Sequence, residues 1–230
     1  MAISRSASVS SRKQPKQARS QDLVATILEA AVQVLANEGA RRFTAARVAE
    51  KAGVSVGSLY QYFPNKAAIL FRLQSDEWRQ THDLLRGILE DAQRPPLDRL
   101  RRVVHAFICS ECEEAAIRGA LDDAAPLYRD APEAQAVKAS GKGIIEAFMR
   151  EALPGASDAT RVLAGDLIKT TMSTVGKQFS ERPRTPAEID AYSDAMADMF
   201  CAYLTALRNA GALDAGDGRA CSTPYVVQRQ

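Results

Sequence analysis

The sequence predicts an all-α fold, and three observations predict it. No segment alternates apolar and polar residues with the period of two that a half-buried strand needs. Apolar residues recur instead at steps of three and four, in runs closed by Gly or Pro. The stretch 43–70, FTAARVAEKAGVSVGSLYQYFPNKAAIL, carries two helix-start signals on either side of a glycine.

Residues 1–19 are Ser-rich and basic, with Arg5, Arg12, Lys13, Lys16 and Arg19 and no acid, a composition that predicts a disordered arm. Ser20 caps a helix running to Asn37, with Leu23, Ile27, Ala30, Ala31, Val34 and Leu35 as its apolar stripe and Gly39 as its stop. Thr44 caps the next helix, and Phe43 with Val48 has the spacing of a hydrophobic staple. Gly53 ends that helix, where φ > 0 costs a residue without Cβ little. Ser55 then caps a short helix from Val56 to Tyr62, with Val54 and Leu59 repeating the staple. Two such helices about a tight turn make a helix-turn-helix. Val54, Leu59 and Phe63 are expected to bury one side of the second helix, leaving Val56, Gly57, Ser58, Tyr60, Gln61 and Tyr62 facing outward. A helix exposing small and hydrogen-bonding residues suits a DNA major groove, about 12 Å wide.

Asn65 starts a long fourth helix through Leu70, Leu73, Trp78 and Leu85, ended by Pro95-Pro96. Further helices are predicted over 97–116, a shorter one to Leu127, then 133–153 and 158–181, with Pro126, Pro132, Pro154, Gly141 and Gly143 as interruptions. Thr185-Pro186-Ala187-Glu188 is a capping box with Pro at the first helical position, so a last helix begins there and is expected to end at Gly211. Residues 212–230 read as a loose tail. The expected organisation is a basic arm (1–19), a helix-turn-helix head (20–66), a helical body (67–211) and that tail.

The net charge of +2 hides a split: residues 1–80 carry 12 Lys and Arg against 6 Asp and Glu, whereas the rest carry 18 against 22. The basic third is the one that holds the helix-turn-helix, as expected when one end of a protein meets phosphates. No apolar run of 18 residues and no signal-peptide core are evident, so a soluble, cytoplasmic protein with no membrane partner is expected. The four cysteines are too few for a disulfide framework.

GVSVGSLYQYFPNKAAIL, following TAARVAEKA, resembles the DNA-binding signature of TetR-family transcriptional regulators. Gly53, Val54, Ser55, Gly57, Leu59, Tyr60, Phe63, Lys66 and Leu70 stand where that pattern has them, and Tyr62 departs from its common histidine. The match covers residues 20–70; beyond it only the helical architecture agrees. The resemblance implies a homodimeric transcription factor, usually a repressor, that leaves a palindromic operator when a small molecule enters the body.

From these readings Thr44, Tyr60, Tyr62 and Lys66 are expected on phosphates, with Val56, Gly57, Ser58 and Gln61 toward base edges. The basic arm is a candidate to lie along the same DNA. Dimerisation is expected through Leu163, Leu167, Val175 and Phe179 of one helix and Met196, Met199, Phe200 and Tyr203 of the next, paired as a four-helix bundle. A largely apolar effector is expected in a cavity walled by Phe107, Ile108, Cys109, Leu121, Tyr128, Ile144 and Phe148, with His105 as a polar contact.

His105, Cys109 and Cys112 fall on one strip of a helix, so metal binding or thiol redox sensing is one alternative, a single such strip being a weak metal signal; a ligand-independent DNA-binding protein is the other. Gly141-Lys142-Gly143 lacks the spacing of a phosphate loop, no Gly-x-Ser-x-Gly occurs, and no cofactor motif or enzymatic activity is expected.

Overall fold

Side by side in a computed structural model lie two apolar cores, and the helices that line them are largely those the sequence predicts. Residues 9, 18–134 and 142–216 are described. The helices are α1 (Ala18–Arg42), α2 (Ala45–Lys51), α3 (Val56–Tyr62), α4 (Lys66–Leu89), α5 (Pro96–Glu113), α6 (Ala115–Ala124), α7 (Lys142–Ala152), α8 (Asp158–Ser180) and α9 (Pro186–Gly216). Ala125–Leu127 forms a 3₁₀ turn after α6, and no strand occurs among the described residues. The expectations for Gly141 and for the arm and tail, outside the residues just given, lie outside the described residues.

Several boundaries differ from expectation: α1 begins at Ala18, so Ser20 lies inside it rather than capping it, and the helix expected over 97–116 ends at Glu113. Gly39 breaks α1 at φ 73°, but helical geometry resumes for one turn to Arg42. Gly211 does not end α9, which runs on to Gly216 because no proline stands between them and Ala212, Leu213 and Ala215 favour helix. Val9, placed by composition in the disordered arm, is buried against the first core.

The first core joins α1, α2, α3 and the start of α4, with Ile27, Leu35, Phe43, Leu59, Phe63 and Leu70 almost wholly buried. It does not stop at residue 66: Leu121, Ala124, Tyr128, Ala131 and Ala134 belong to it too. By length and composition α1 could cross a membrane, but Ile27, Ala31 and Leu35 are its contribution to this protein core. The second core lies among α5, α7, α8 and α9, around Val104, Ile108, Phe148, Leu153, Ile168, Phe200 and Leu204. In α8, a Cβ at Gly165 would come 3.0 Å from Ile145 and one at Gly176 3.0 Å from Phe107, so both glycines permit close helix approach.

Charged groups tie the helices between the cores. Arg118 of α6, largely buried, pairs with Glu77 of α4 (3.0 Å), with Glu111 of α5 and with Glu114 (2.9 Å), and donates to Thr81 Oγ1 (3.0 Å). Burial raises the Glu77 and Glu111 carboxyls above the usual range, with the Arg118 charge opposing it. Removing the cation leaves two nearly buried carboxylates uncompensated. Arg118→Ala is therefore expected to cost about 3–5 kcal/mol in urea unfolding at neutral pH. Because the folded carboxyls hold protons more tightly than the unfolded ones, that deficit shrinks as the pH falls toward the ordinary carboxyl range. A deficit independent of pH would exclude this origin.

Candidate nucleic-acid interface

The helix-turn-helix is built from local bonds that its sequence specifies. Thr44 Oγ1 accepts from the Arg47 N–H at 3.3 Å and Ser55 Oγ from the Ser58 N–H at 3.0 Å, so both short helices have side-chain caps. Between them Gly53 takes φ 67°, and its N–H bonds the Glu50 carbonyl while the Val54 N–H bonds the Ala49 carbonyl. This pair of bonds is a Schellman motif, which closes α2 and sets the angle at which α3 leaves. Asn65 Oδ1 accepts from the Ala68 N–H at 2.9 Å and starts α4, leaving Lys66 exposed at its first position.

α3 divides sharply between its faces. Leu59 and Phe63 are buried, whereas Val56, Gly57, Tyr60 and Gln61 are exposed and Ser58 is half-buried. Tyr62 corrects the expectation: it is only 6% exposed. It stands three residues after the fully buried Leu59, and on a helix that spacing shares a face. Ser58 is also less free than expected, because its hydroxyl lies 2.8 Å from Ser55 Oγ.

Gly57 gives the face its direction. Among the described residues, a Cβ there would meet nothing closer than Ser55 Oγ at 3.7 Å. Internal packing thus gives no reason for a glycine, which costs about 0.8–1 kcal/mol against alanine inside a helix. Close approach of something from outside gives one.

The residues expected to wall one effector cavity do not come together. Leu121 and Tyr128 lie in the first core, and Phe107, Ile108 and Phe148 in the second, with Ile144 half-buried against it. The Tyr128 hydroxyl sits 2.9 Å from the Leu121 carbonyl and 3.1 Å from Gln74 Oε1, and burial raises its pKa well above the ordinary phenol value. His105 is exposed on the outer surface, its Nε2 2.9 Å from Asp190 Oδ1. Cys109 Sγ is 3.6 Å from His105 Nδ1, and burial raises both the Cys109 and Cys112 thiols, which disfavours the reactive thiolate. No group of three metal-ligating side chains occurs among the described residues.

An open cleft of about 370 Å³ lies elsewhere, between α7 and α8, lined by the apolar Ile145, Met149 and Val162 with Gly165 and by charged groups of both signs, Glu146, Asp158 and Asp166 with Arg150, Arg161 and Lys169. Of the sequence-predicted wall residues, Ile144 and Phe148 adjoin its lining in the chain, and neither is part of that lining. The signal missed was the small residue Gly165, which lets α8 approach α7.

The expected dimer residues also separate. Leu163, Leu167 and Met199 are 64%, 50% and 52% exposed, and Val162 on the same stretch is 55% exposed. Phe179, Met196 and Phe200 are instead buried in the second core, and Val175 and Tyr203 are half-buried against it. Phe179 stacks on Tyr192 with centroids 3.9 Å apart, and Arg184 covers its ring at 4.3 Å. Met196 and Phe200 lie one turn apart on the side of α9 that closes that core.

Residues 27–73 match the family model described as bacterial regulatory proteins, tetR family, and residues 95–207 match that of the tetracyclin repressor-like C-terminal domain. Both halves of the architecture are thereby matched in order. The chain belongs to the TetR family. Curated relatives of this TetR-family chain include the nucleoid occlusion factor SlmA of Vibrio campbellii, 36% identical over 83 residues, and the HTH-type transcriptional regulator TtgR of Pseudomonas putida, 36% identical over 85. Each alignment covers 36% of the chain, and the chain spans only 42% and 40% of those relatives' lengths.

Solved structures extend the likeness in fold to the body. The fatty acid degradation regulator FadR of Bacillus halodurans superposes with a TM-score of 0.61 at 18% identity, over 82% of this chain and 97% of that one. A TetR/AcrR-family regulator of Thermobifida fusca gives 0.63 at 14% identity, over 78% and 97%. FadR of Bacillus subtilis, solved with stearoyl-CoA, gives 0.54 at 17%, over 77% and 97%.

If Gly57 exists for close approach, Gly57→Ala should behave oppositely in two measurements. The free protein should gain about 0.5–1 kcal/mol in thermal or urea unfolding. Affinity for its preferred duplex should fall by about 1–3 kcal/mol, the scale of one base contact.

Proposed function

We propose that this chain is a sequence-specific DNA-binding transcriptional regulator, most simply a repressor, that binds a palindromic operator as a homodimer and is released by a small-molecule effector. The observation that carries the reading is α3: a capped helix of seven residues whose inner side is core and whose outer side, from Val56 through Gln61, offers a methyl-bearing side chain, a glycine, hydroxyls and an amide. Val56 suits a thymine methyl and Gln61 an adenine edge, while Thr44, Tyr60 and Lys66 lie where phosphates would pass. Tyr62 drops from that set because its ring is core. A protein that works on DNA acts in the cytoplasm of a bacterial cell, which fits the family description.

Two heads are needed because one reads only a few base pairs, and half-sites on one DNA face lie about a helical turn or a multiple apart. The exposed row of Val162, Leu163 and Leu167 on α8, with Met199 on α9, supports a two-fold pairing of these helices. The internal residues Phe179, Met196 and Phe200 support each protomer's core instead.

The effector cleft that the geometry favours is the one between α7 and α8, of a size that suits small ligands. Its mixed apolar and charged lining favours an amphipathic molecule. The stearoyl-CoA bound by the Bacillus subtilis relative is of that chemical kind. To act, the ligand must bind the DNA-free arrangement better, and a coupling of about 1–3 kcal/mol changes operator affinity roughly 5- to 150-fold.

The experiment that tests the reading is saturable binding to a short palindrome in a mobility-shift assay, followed by addition of candidate amphiphiles. Retention of the palindrome over scrambled duplex, lost on adding one compound, supports the proposal. Equal binding to both duplexes overturns it. Within that assay Lys66→Ala should weaken all duplexes alike and lower the salt slope by about one unit, whereas Gln61→Ala should change preference at one position per half-site. Leu163→Glu should give helical monomers by sedimentation at micromolar concentration, while wild type sediments as a dimer; a monomeric wild type contradicts the pairing.

A further inference from the structure

Three arginines stand within seven residues at the edge of the head, Arg41, Arg42 and Arg47, and the structure separates them into two kinds. Arg47, on the first turn of α2, is ion-paired with Glu38, the residue just before the break in α1. Arg41 and Arg42 are exposed, and neither makes an ion pair or side-chain hydrogen bond among the described residues.

Their orientation follows from what flanks them. Gly39 adopts φ 73°, a conformation costly to any residue with a Cβ, and turns the chain at the end of α1. On the far side of the break Ala40 packs against the first core and Phe43 is wholly buried in it. Two inward residues three apart leave the two between them turned outward. The Glu38–Arg47 pair bridges the break to α2 and holds this extra turn against the helix-turn-helix. Arg42 is two residues from Thr44, so their Cα atoms lie within about 7 Å of one another.

We propose that Arg41 and Arg42 are phosphate-contacting residues of the DNA interface, and that Glu38 withholds Arg47 from it. The inference rests on the DNA-binding reading and adds to it a pair of contacts that precede α2. When the second helix of a helix-turn-helix enters the major groove, the first crosses the backbone. That puts the start of α2 beside phosphates, and the turn carrying Arg41 and Arg42 leads directly into it. The two guanidiniums are exposed and, among the described residues, unpaired, suited to positioning and to counterion release rather than to reading bases.

The test uses the full chain and a duplex carrying the site that wild type selects from a random pool. Affinity is measured over a series of salt concentrations for Arg41→Ala, Arg42→Ala, the double variant and Arg47→Ala. Each of the first two should lower the slope of log K against log salt by about 0.9 unit, and the pair by about twice that, with base preference unchanged. Arg42→Lys should restore the slope, since a point charge suffices for a phosphate. Arg47→Ala, of equal charge change, should leave the slope as in wild type; Arg47→Gln provides the same comparison with a longer polar side chain should the alanine variant melt early. An unchanged slope in the double variant overturns the proposal. So does an Arg47 variant that lowers the slope as much as the others, because bulk charge would then explain everything. A wild-type chain that selects no site overturns the DNA-binding reading and this assignment together.

Discussion

The Tyr128 hydroxyl shares its proton between the Leu121 carbonyl at 2.9 Å and Gln74 Oε1 at 3.1 Å, inside a core where the ring is 3% exposed. That arrangement fastens the chain after α6 onto α4, and much else depends on it. A head of α1 and two seven-residue helices has little apolar surface of its own to bury. Here it borrows Leu121, Ala124, Tyr128, Ala131 and Ala134, so the support of α3 includes residues more than fifty positions beyond it. Any rearrangement of the body that moves α6 therefore acts on the core beneath the recognition helix.

α4 is held by polar groups as well as by packing. Near its middle Glu77 and Thr81 meet Arg118 of α6. At its end the Leu89 carbonyl, which has no partner within the helix, accepts from Arg99 Nη1 at 2.5 Å, and the same guanidinium pairs with Glu151 of α7. Arg99 is 2% exposed, and burying a cation with partial compensation costs stability rather than adding it. What such groups supply is register: α4 cannot slide along α5 or α6 without breaking them. Since α7 walls the cleft and also holds Arg99 through Glu151, one helix joins the cleft to the end of α4. Direct packing by α6 and this route at α4 are two separate ways for the body to reach the head.

How much was legible in the sequence depended on whether the determining interaction was local. Thr44, Gly53, Ser55, Asn65, Ser157 and the Thr185–Glu188 box act within a few residues, and each does what its residue type predicts. Periodicity could not decide which partner an apolar stripe meets. Met196 and Met199 belong to one stripe, yet one is buried and the other half-exposed, because α5 covers only part of it. Residue character puts Tyr62 on the outer face of a short polar helix, but its spacing from Leu59 puts it inside. The expected cavity failed for a longer-range reason: α6 crosses to the first core and takes Leu121 and Tyr128 with it, a choice made by contacts across the chain. Gly165 and Gly176 are not legible in the sequence, since a helical glycine signals close approach only once the neighbouring helix is known.

The central claim is that the head and the segment after α6 form one cooperative unit, and hydrogen exchange measures that most directly. Under native conditions, amides of α1 and of the first half of α4 should open with the same free energy as those of α6 through residue 134. Low denaturant should lower both together. If the segment from α6 to residue 134 opens at much lower free energy while α1 and α4 stay protected, the head stands without it, and the shared core is not what holds the recognition helix in place.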